Sequence, residues 1–271
     1  NSNTVDRSYK ANTLTNNGTV PTGAVESGAE LNFYGPFSTS NYLARASDAD
    51  WDVFGTGSFY MSIWFKCSGN SGGETFMGFG NSGRSVECYT GLLSSGIIDC
   101  QINGATATGE LATSATFDDN VWHKIDMVNV SSTERYLYVD GVLADSNTTD
   151  SGSVSDSGNM PFGVGILHNG SSNPCTTTLL SLARLSATPP NATQVRQMYD
   201  AEKGMFVASA ECLLQSGSTD AVLDVDVDPL SGKVLVTQTD AITIFDGLVV
   251  DSKPTVNSGA SEKGKLWGAL R

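Results

Sequence analysis

The side chains with the greatest chemical reach are few and unevenly placed. Asp48, Asp50 and Asp52 alternate through a polar stretch, and hard divalent ions such as Ca2+ take several oxygens from one such loop. The next glycine is Gly55, and no Glu follows at the spacing of a helix-loop-helix calcium site. The three carboxylates are therefore either a metal loop of another kind or an ordinary acidic turn. Tyr42, Trp51, Tyr89 and Trp267 are aromatic residues in loop-like or strand-end surroundings, and Asn41, Asn81, Asn169 and Asn173 could supply amides. A ring flanked by amides is the chemistry that stacks on the apolar face of a sugar and hydrogen-bonds its hydroxyls. From these, Tyr42, Trp51, Tyr89 and Asn169 form the candidate ligand-binding set, against the competing reading that each ring is a hydrophobic plug. Trp64 and Trp122 are expected in the core. Catalytic constellations are not legible. Retaining glycoside hydrolysis needs two carboxyl groups about 5–5.5 Å apart, and the nearest imitation, Asp224, Asp226 and Asp228, reads as the acidic solvent face of a small sheet. Histidine occurs only at 123 and 168, so a nucleophile has no evident base. The expectation is a protein that is not an enzyme.

The elements that must position these groups are strands. From 58 to 67, Phe59, Met61, Ile63 and Phe65 alternate with Tyr60, Ser62, Trp64 and Lys66, the period of a sheet with one core side. Shorter strands are predicted over 75–79, 85–89 and 97–102, the last running into Asn103-Gly104, a two-residue hairpin signal. Further strands are predicted over 121–130 and 135–139, with Asp140-Gly141 turning the chain back through Val142 and Leu143, and over 179–185. One helix is predicted over 191–203, opened by Pro189-Pro190-Asn191 and ended by Gly204. Beyond it, strands are predicted over 207–214, 221–228, 232–238 and 241–245, while residues 1 to about 20 lack a period and read as an arm or edge strand.

Composition bounds the rest. The 271 residues carry 15 Lys and Arg against 29 Asp and Glu, a net charge of −14 without any basic cluster. Such a surface repels phosphate backbones and anionic lipid, so no nucleic-acid partner is expected. No stretch approaches the roughly 18 apolar residues of a helical membrane span, so no membrane insertion is expected. The chain opens on Asn1 without a basic or apolar leader, as a processed product or part of a longer polypeptide would. Five scattered cysteines (67, 88, 100, 175, 212) allow up to two disulfides or buried free thiols.

Three groups of segments, in order, resemble the laminin-G-like branch of the concanavalin A-like lectin and glucanase superfamily. They are 37–43 with 54–59 and Ile63-Trp64-Phe65-Lys66; Trp122-His123-Lys124-Ile125 with Tyr136-Leu137-Tyr138-Val139-Asp140-Gly141; and Leu182-Ala183-Arg184-Leu185-Ser186 ahead of Met198-Tyr199 and Glu202-Lys203. The resemblance implies an all-β fold, a two-sheet antiparallel jelly-roll sandwich with one short helix. The expected organisation is an N-terminal arm or edge strand (1–24), the jelly roll (25–206) and a small β-rich C-terminal module with a tail (207–271). The flanks, Asp6-Arg7-Ser8-Tyr9-Lys10 with Asn17-Gly18-Thr19 and 222–236, resemble those around this domain in marine tailed-phage virion proteins. That implies a virion surface or tail-fibre structural protein whose lectin-like domain meets host glycans or neighbouring subunits. The alternatives are a secreted, extracellular bacterial carbohydrate-binding protein or adhesin, and a glycosidase with relocated carboxylates. The C-terminal module has exposed-looking strand edges and too few residues for an ample core, so a homo-oligomer is expected, a trimer if the protein is a fibre.

Overall fold

A computed structural model of the chain describes residues 10–27, 29, 31–46, 58–69, 72–80, 87–92, 95–103, 108–148, 161–167, 172–207, 222–239, 241–247 and 249–253. Its strands are β1 (Thr15–Asn17), β2 (Thr22–Ala24), β3 (Asn32–Tyr34), β4 (Tyr42–Arg45), β5 (Phe59–Cys67), β6 (Glu74–Gly80), β7 (Glu87–Leu92), β8 (Ile97–Asn103), β9 (Thr108–Thr116), β10 (Trp122–Ser131), β11 (Glu134–Val139), β12 (Val142–Asn147), β13 (Phe162–Val164) and β14 (Thr178–Ser186). After helix α1 (Ala192–Glu202) and a 3-10 turn (Lys203–Met205) come β15 (Val222–Val227), β16 (Val234–Gln238), β17 (Ile242–Asp246) and β18 (Val249–Ser252). Contacts divide the chain into residues 1–209 and 210–271.

The first unit is the expected sandwich. One seven-stranded sheet runs β1-β4-β13-β6-β7-β8-β9 and the other β12-β11-β10-β5-β14-β3-β2, with every pairing antiparallel. Two sheets are required because each alternating strand has an apolar face that must be buried against another layer. Phe59, Met61, Ile63 and Phe65 of β5 all enter the main core, where Phe65 meets Phe76 of the other sheet at 4.7 Å between ring centroids and Phe59 meets Phe79 at 5.6 Å. The N-terminal arm supplies edge strand β1, paired with β4.

Turn chemistry explains the hairpins. Asp140 (φ 52°) and Gly141 (φ 72°) both adopt the left-handed region and join β11 to β12 with Val139 opposite Val142, the two-residue turn that matches strand twist. The Asn103-Gly104 expectation is corrected in detail: β8 and β9 do pair, but Asn103 stands opposite Thr108, which leaves four residues between them. Helix α1 opens on a reciprocal cap, in which Gln194 N donates to Asn191 Oδ1 (3.0 Å) and Asn191 N donates to Gln194 Oε1 (2.9 Å). Cys67, Cys100 and Cys175 are buried free thiols.

The second unit contains a four-stranded antiparallel meander, β15-β16-β17-β18, in sequence order. Leu235, Ile244 and Phe245 are buried on its central strands, whereas Leu223, Val225 and Val227 on edge strand β15 are more than half exposed. The expected strand over 207–214 lies, apart from its first residue, outside the described residues.

Candidate binding face

Register across the first sheet builds one row from seven strands. Thr15, Ala44, Gly163, Gly78, Tyr89, Gln101 and Glu110 stand opposite one another in turn. The adjacent row, Leu43, Val164, Met77, Cys100 and Leu111, enters the core, so the first row lies on the face turned away from it. The row holds small residues on β4, β13 and β6 (Ala44, Gly163 and Gly78) and larger polar ones on β8 and β9 (Gln101 and Glu110). The two glycines are buried, whereas both ends of the row are accessible: Thr15 and Glu110 are exposed, and Ala44 and Gln101 are half-buried; the larger polar groups are at the β8–β9 end. There Gln101 Nε2 donates to Asp99 Oδ2 (2.9 Å), and the buried Asp99 carboxylate fixes the orientation of the amide. A planar amide held in place at the accessible β8–β9 end of this row is suited to a polyhydroxylated or peptide ligand.

The sequence-based candidates fare unevenly. Tyr89 holds a register position in this row, paired between Gly78 and Gln101. Tyr42 is in β4, half-buried, and packs against the main core. Trp51, Asn169, Trp267 and Asn81 lie outside the described residues, as do Asp48, Asp50 and Asp52. Among the described residues no group of three or more His, Cys, Asp or Glu could hold a metal ion. Asn41 has a structural task, its Oδ1 accepting from Thr19 N at 3.0 Å. Asp99 and Gln101 were missed by the sequence reading, although the alternation Ile98, Cys100, Ile102 against Asp99, Gln101 was present to find them.

The outer face of the second sheet is closed by α1. Trp64 and Trp122 are buried there with Phe206, which stacks on Trp64 at 4.0 Å and 10°. Trp64 Nε1 donates to Glu202 (2.8 Å), which also pairs with Arg184 (2.7 Å), and Trp122 Nε1 donates to Val25 O (3.2 Å). Beside them Asp126 Oδ1 accepts from Lys124 Nζ and Tyr60 OH, both at 2.5 Å. Burial pushes the Asp126 carboxyl above its ordinary value, while Lys124 and Tyr60 pull the other way. Burial, followed by the Asp126 charge, drives the Tyr60 phenol far up. His123 is held on both ring nitrogens, Nδ1 by Asp140 (2.7 Å) and Nε2 by Asp119 (3.2 Å), so neither is free to act as a base.

A family model for the concanavalin A-like lectin/glucanases superfamily matches residues 37–195. No curated protein matches the chain. Among solved structures it is similar to botulinum neurotoxin type C, whose cell entry depends on interaction with two ganglioside molecules (TM-score 0.58, 11% identity, 88% of this chain and 60% of that one). It is also similar to the binding domain of botulinum neurotoxin DC in complex with SialylT (0.58, 10%, 89% and 58%). A third is the binding domain of Paraclostridial Mosquitocidal Protein 1 (0.59, 12%, 94% and 66%). The chain thus spans 58–66% of these three chains. At these identities the likeness is one of fold.

Proposed function

Because the chain belongs to the concanavalin A-like lectin and glucanase superfamily, we propose that it is a non-enzymatic recognition module, its lectin-like domain binding a glycan or a receptor on the outer face of the first sheet. The observation that carries this is the row from Ala44 to Glu110, with Gln101 held by Asp99. Two carboxylates side by side would favour hydrolysis, but here the outward alternate positions of β8 are Asp99 and then the amide of Gln101. Fold neighbours that meet gangliosides and SialylT support the inclusion of sialylated glycans among the ligands tried. A glycan array read with calcium and with chelator tests the proposal. The expected result is binding that falls about tenfold in Gln101→Ala, the loss of roughly one hydrogen bond. No binding at millimolar glycan in either condition removes the lectin role and leaves a structural one. The calcium arm tests Asp48, Asp50 and Asp52 as the metal loop.

The place of action we propose is a tailed-phage particle surface, supported by the flanking segments 6–19 and 222–236 that resemble those of phage virion proteins. A gene position beside portal, capsid or tail genes would favour this, and one beside secretion genes the adhesin reading. Self-assembly is supported by the second unit, where Leu223 (66%), Val225 (55%) and Val227 (53%) are exposed along an edge strand. Light scattering on the full chain is expected to give a homo-oligomer that Val225→Glu dissociates. A monomer at high micromolar concentration would end this part of the proposal.

A further inference from the structure

We infer that His123 is a pH-sensitive staple, fastening the loop before β10 to the β11–β12 turn and opening on the alkaline side. Asp140 Oδ2 lies 2.7 Å from Nδ1, and the Asp119 oxygens lie 3.2 and 3.3 Å from Nε2. A neutral imidazole has one N–H, so one of these contacts would set a nitrogen lone pair against a carboxylate; only the imidazolium donates to both. The ring cannot easily turn away, because Phe65 (5.7 Å) and Phe117 (5.0 Å) pack against it.

Each carboxylate is tied into backbone. Asp119 Oδ1 also accepts from Val121 N (3.0 Å), which shapes the loop. Asp140 Oδ1 accepts from Lys124 N (2.9 Å), and Asp140 N donates to Lys124 O (3.0 Å), which fixes the turn to β10. The turn in turn abuts α1: a Cβ on Gly141 would lie 3.0 Å from Tyr199 Cβ and 3.1 Å from Arg196 Cδ. Among the described residues, the charged groups that meet the ring are Asp119 from the loop and Asp140 from the turn, with Arg196 and Tyr199 behind that turn on α1. Lys66 follows the uncharged Phe65 on β5, and Lys124 is committed to Asp126.

Burial draws the imidazole down, but Asp140 and then Asp119 outweigh it, and the net displacement is upward. With the folded value above the unfolded one, the stabilisation is fully present below the unfolded pKa and is lost as pH rises through the folded pKa. The Asp119 contact is longer and that carboxylate is half exposed, so deprotonation releases Nε2 and the loop first while Nδ1–H stays on Asp140.

The test is an NMR titration of the full chain between about pH 5 and pH 9, following the His123 ring and the exchange of the Val121 amide. The expected result is a His123 midpoint above that of free histidine, with Val121 protection falling about tenfold more than base catalysis alone predicts across the same midpoint. Asp119→Asn should lower the midpoint and abolish the step, and His123→Gln should abolish it as well. A midpoint at or below that of free histidine, or a step that survives in Asp119→Asn, overturns the staple. Asp119 is a surface residue, so this variant keeps the test decisive if His123→Gln does not fold.

Discussion

Lys124→Met should lower the unfolding free energy by about 3–5 kcal/mol, the usual cost of leaving one partner of a buried ion pair alone. Lys124 and Asp126 are both fully buried on the outer face of the second sheet, 2.5 Å apart. Without the ammonium, Asp126 keeps the Tyr60 hydroxyl and the neighbouring Ser62, and its carboxyl, already raised by burial, must rise further. A carboxyl whose folded pKa lies above its unfolded one costs stability as pH climbs. The deficit should therefore shrink as the variant is acidified through the carboxylate range, and urea denaturation at two pH values will show this. Lys124→Met with Asp126→Leu should recover most of the loss, since apolar replacement of a whole buried pair is often neutral. It would still leave the Tyr60 hydroxyl without its acceptor, about 1–3 kcal/mol, which adding Tyr60→Phe should return. A single variant that costs less than about 1 kcal/mol would mean that water reaches the pair.

Why this pair was not legible in the sequence is instructive. Lys124 and Asp126 alternate with Ile125 and Met127, and on a one-sided sheet they would face water; they are buried because α1 lies over that face with Val195 and Met198. The long strands β5 and β10, the β11–β12 hairpin and α1 carry local signals of period, turn and cap, and they appear where expected. Strands β3, β4 and β13 have three or four residues, too few to show a period. β9 was missed because Leu111 is its only large apolar residue, its other positions being mostly Thr, Ala, Ser and Gly. The candidate face is harder still. Its row joins residue 44 to 163, 163 to 78, and 78 to 89, pairings fixed by sheet register rather than by spacing. A search for aromatic residues in loops could reach Tyr89 by type but not its register between Gly78 and Gln101. Asp224, Asp226 and Asp228 show the same limit. Asp226 is exposed as an acidic edge should be, but Asp228 is buried and closes a turn by accepting from Leu230 N, Ser231 N and Ser231 Oγ.

Glu74→Ala should cost a similar amount, about 3–5 kcal/mol, for a different reason. Glu74 opens β6 and is 4% exposed, yet its interactions are hydrogen bonds rather than an ion pair: Oε1 accepts from Thr176 Oγ1 (3.0 Å), Thr177 N (2.8 Å) and Thr177 Oγ1 (3.0 Å), and Oε2 from Thr178 Oγ1 (2.5 Å). Thr178 begins β14 of the opposite sheet, so one carboxylate pins the two sheets together at this end of the sandwich. Removing it leaves four donors without this acceptor: Thr178 is buried and Thr177 half-buried, at about 1–3 kcal/mol for each group left unsatisfied, while the exposed Thr176 hydroxyl turns to water. Glu74→Gln retains one acceptor oxygen, and the three hydroxyls can rotate to accept from its amide, so it should cost about half as much. Thr178→Val removes a single bond and should cost about 1 kcal/mol. Chemical denaturation of the three variants orders them. A graded series, Ala worst and Val mildest, identifies acceptor count as the cause. Equal losses for Ala and Gln would show instead that the negative charge itself is required, and a Glu74→Ala loss below about 1 kcal/mol would show that the sheets are held at this end by packing alone.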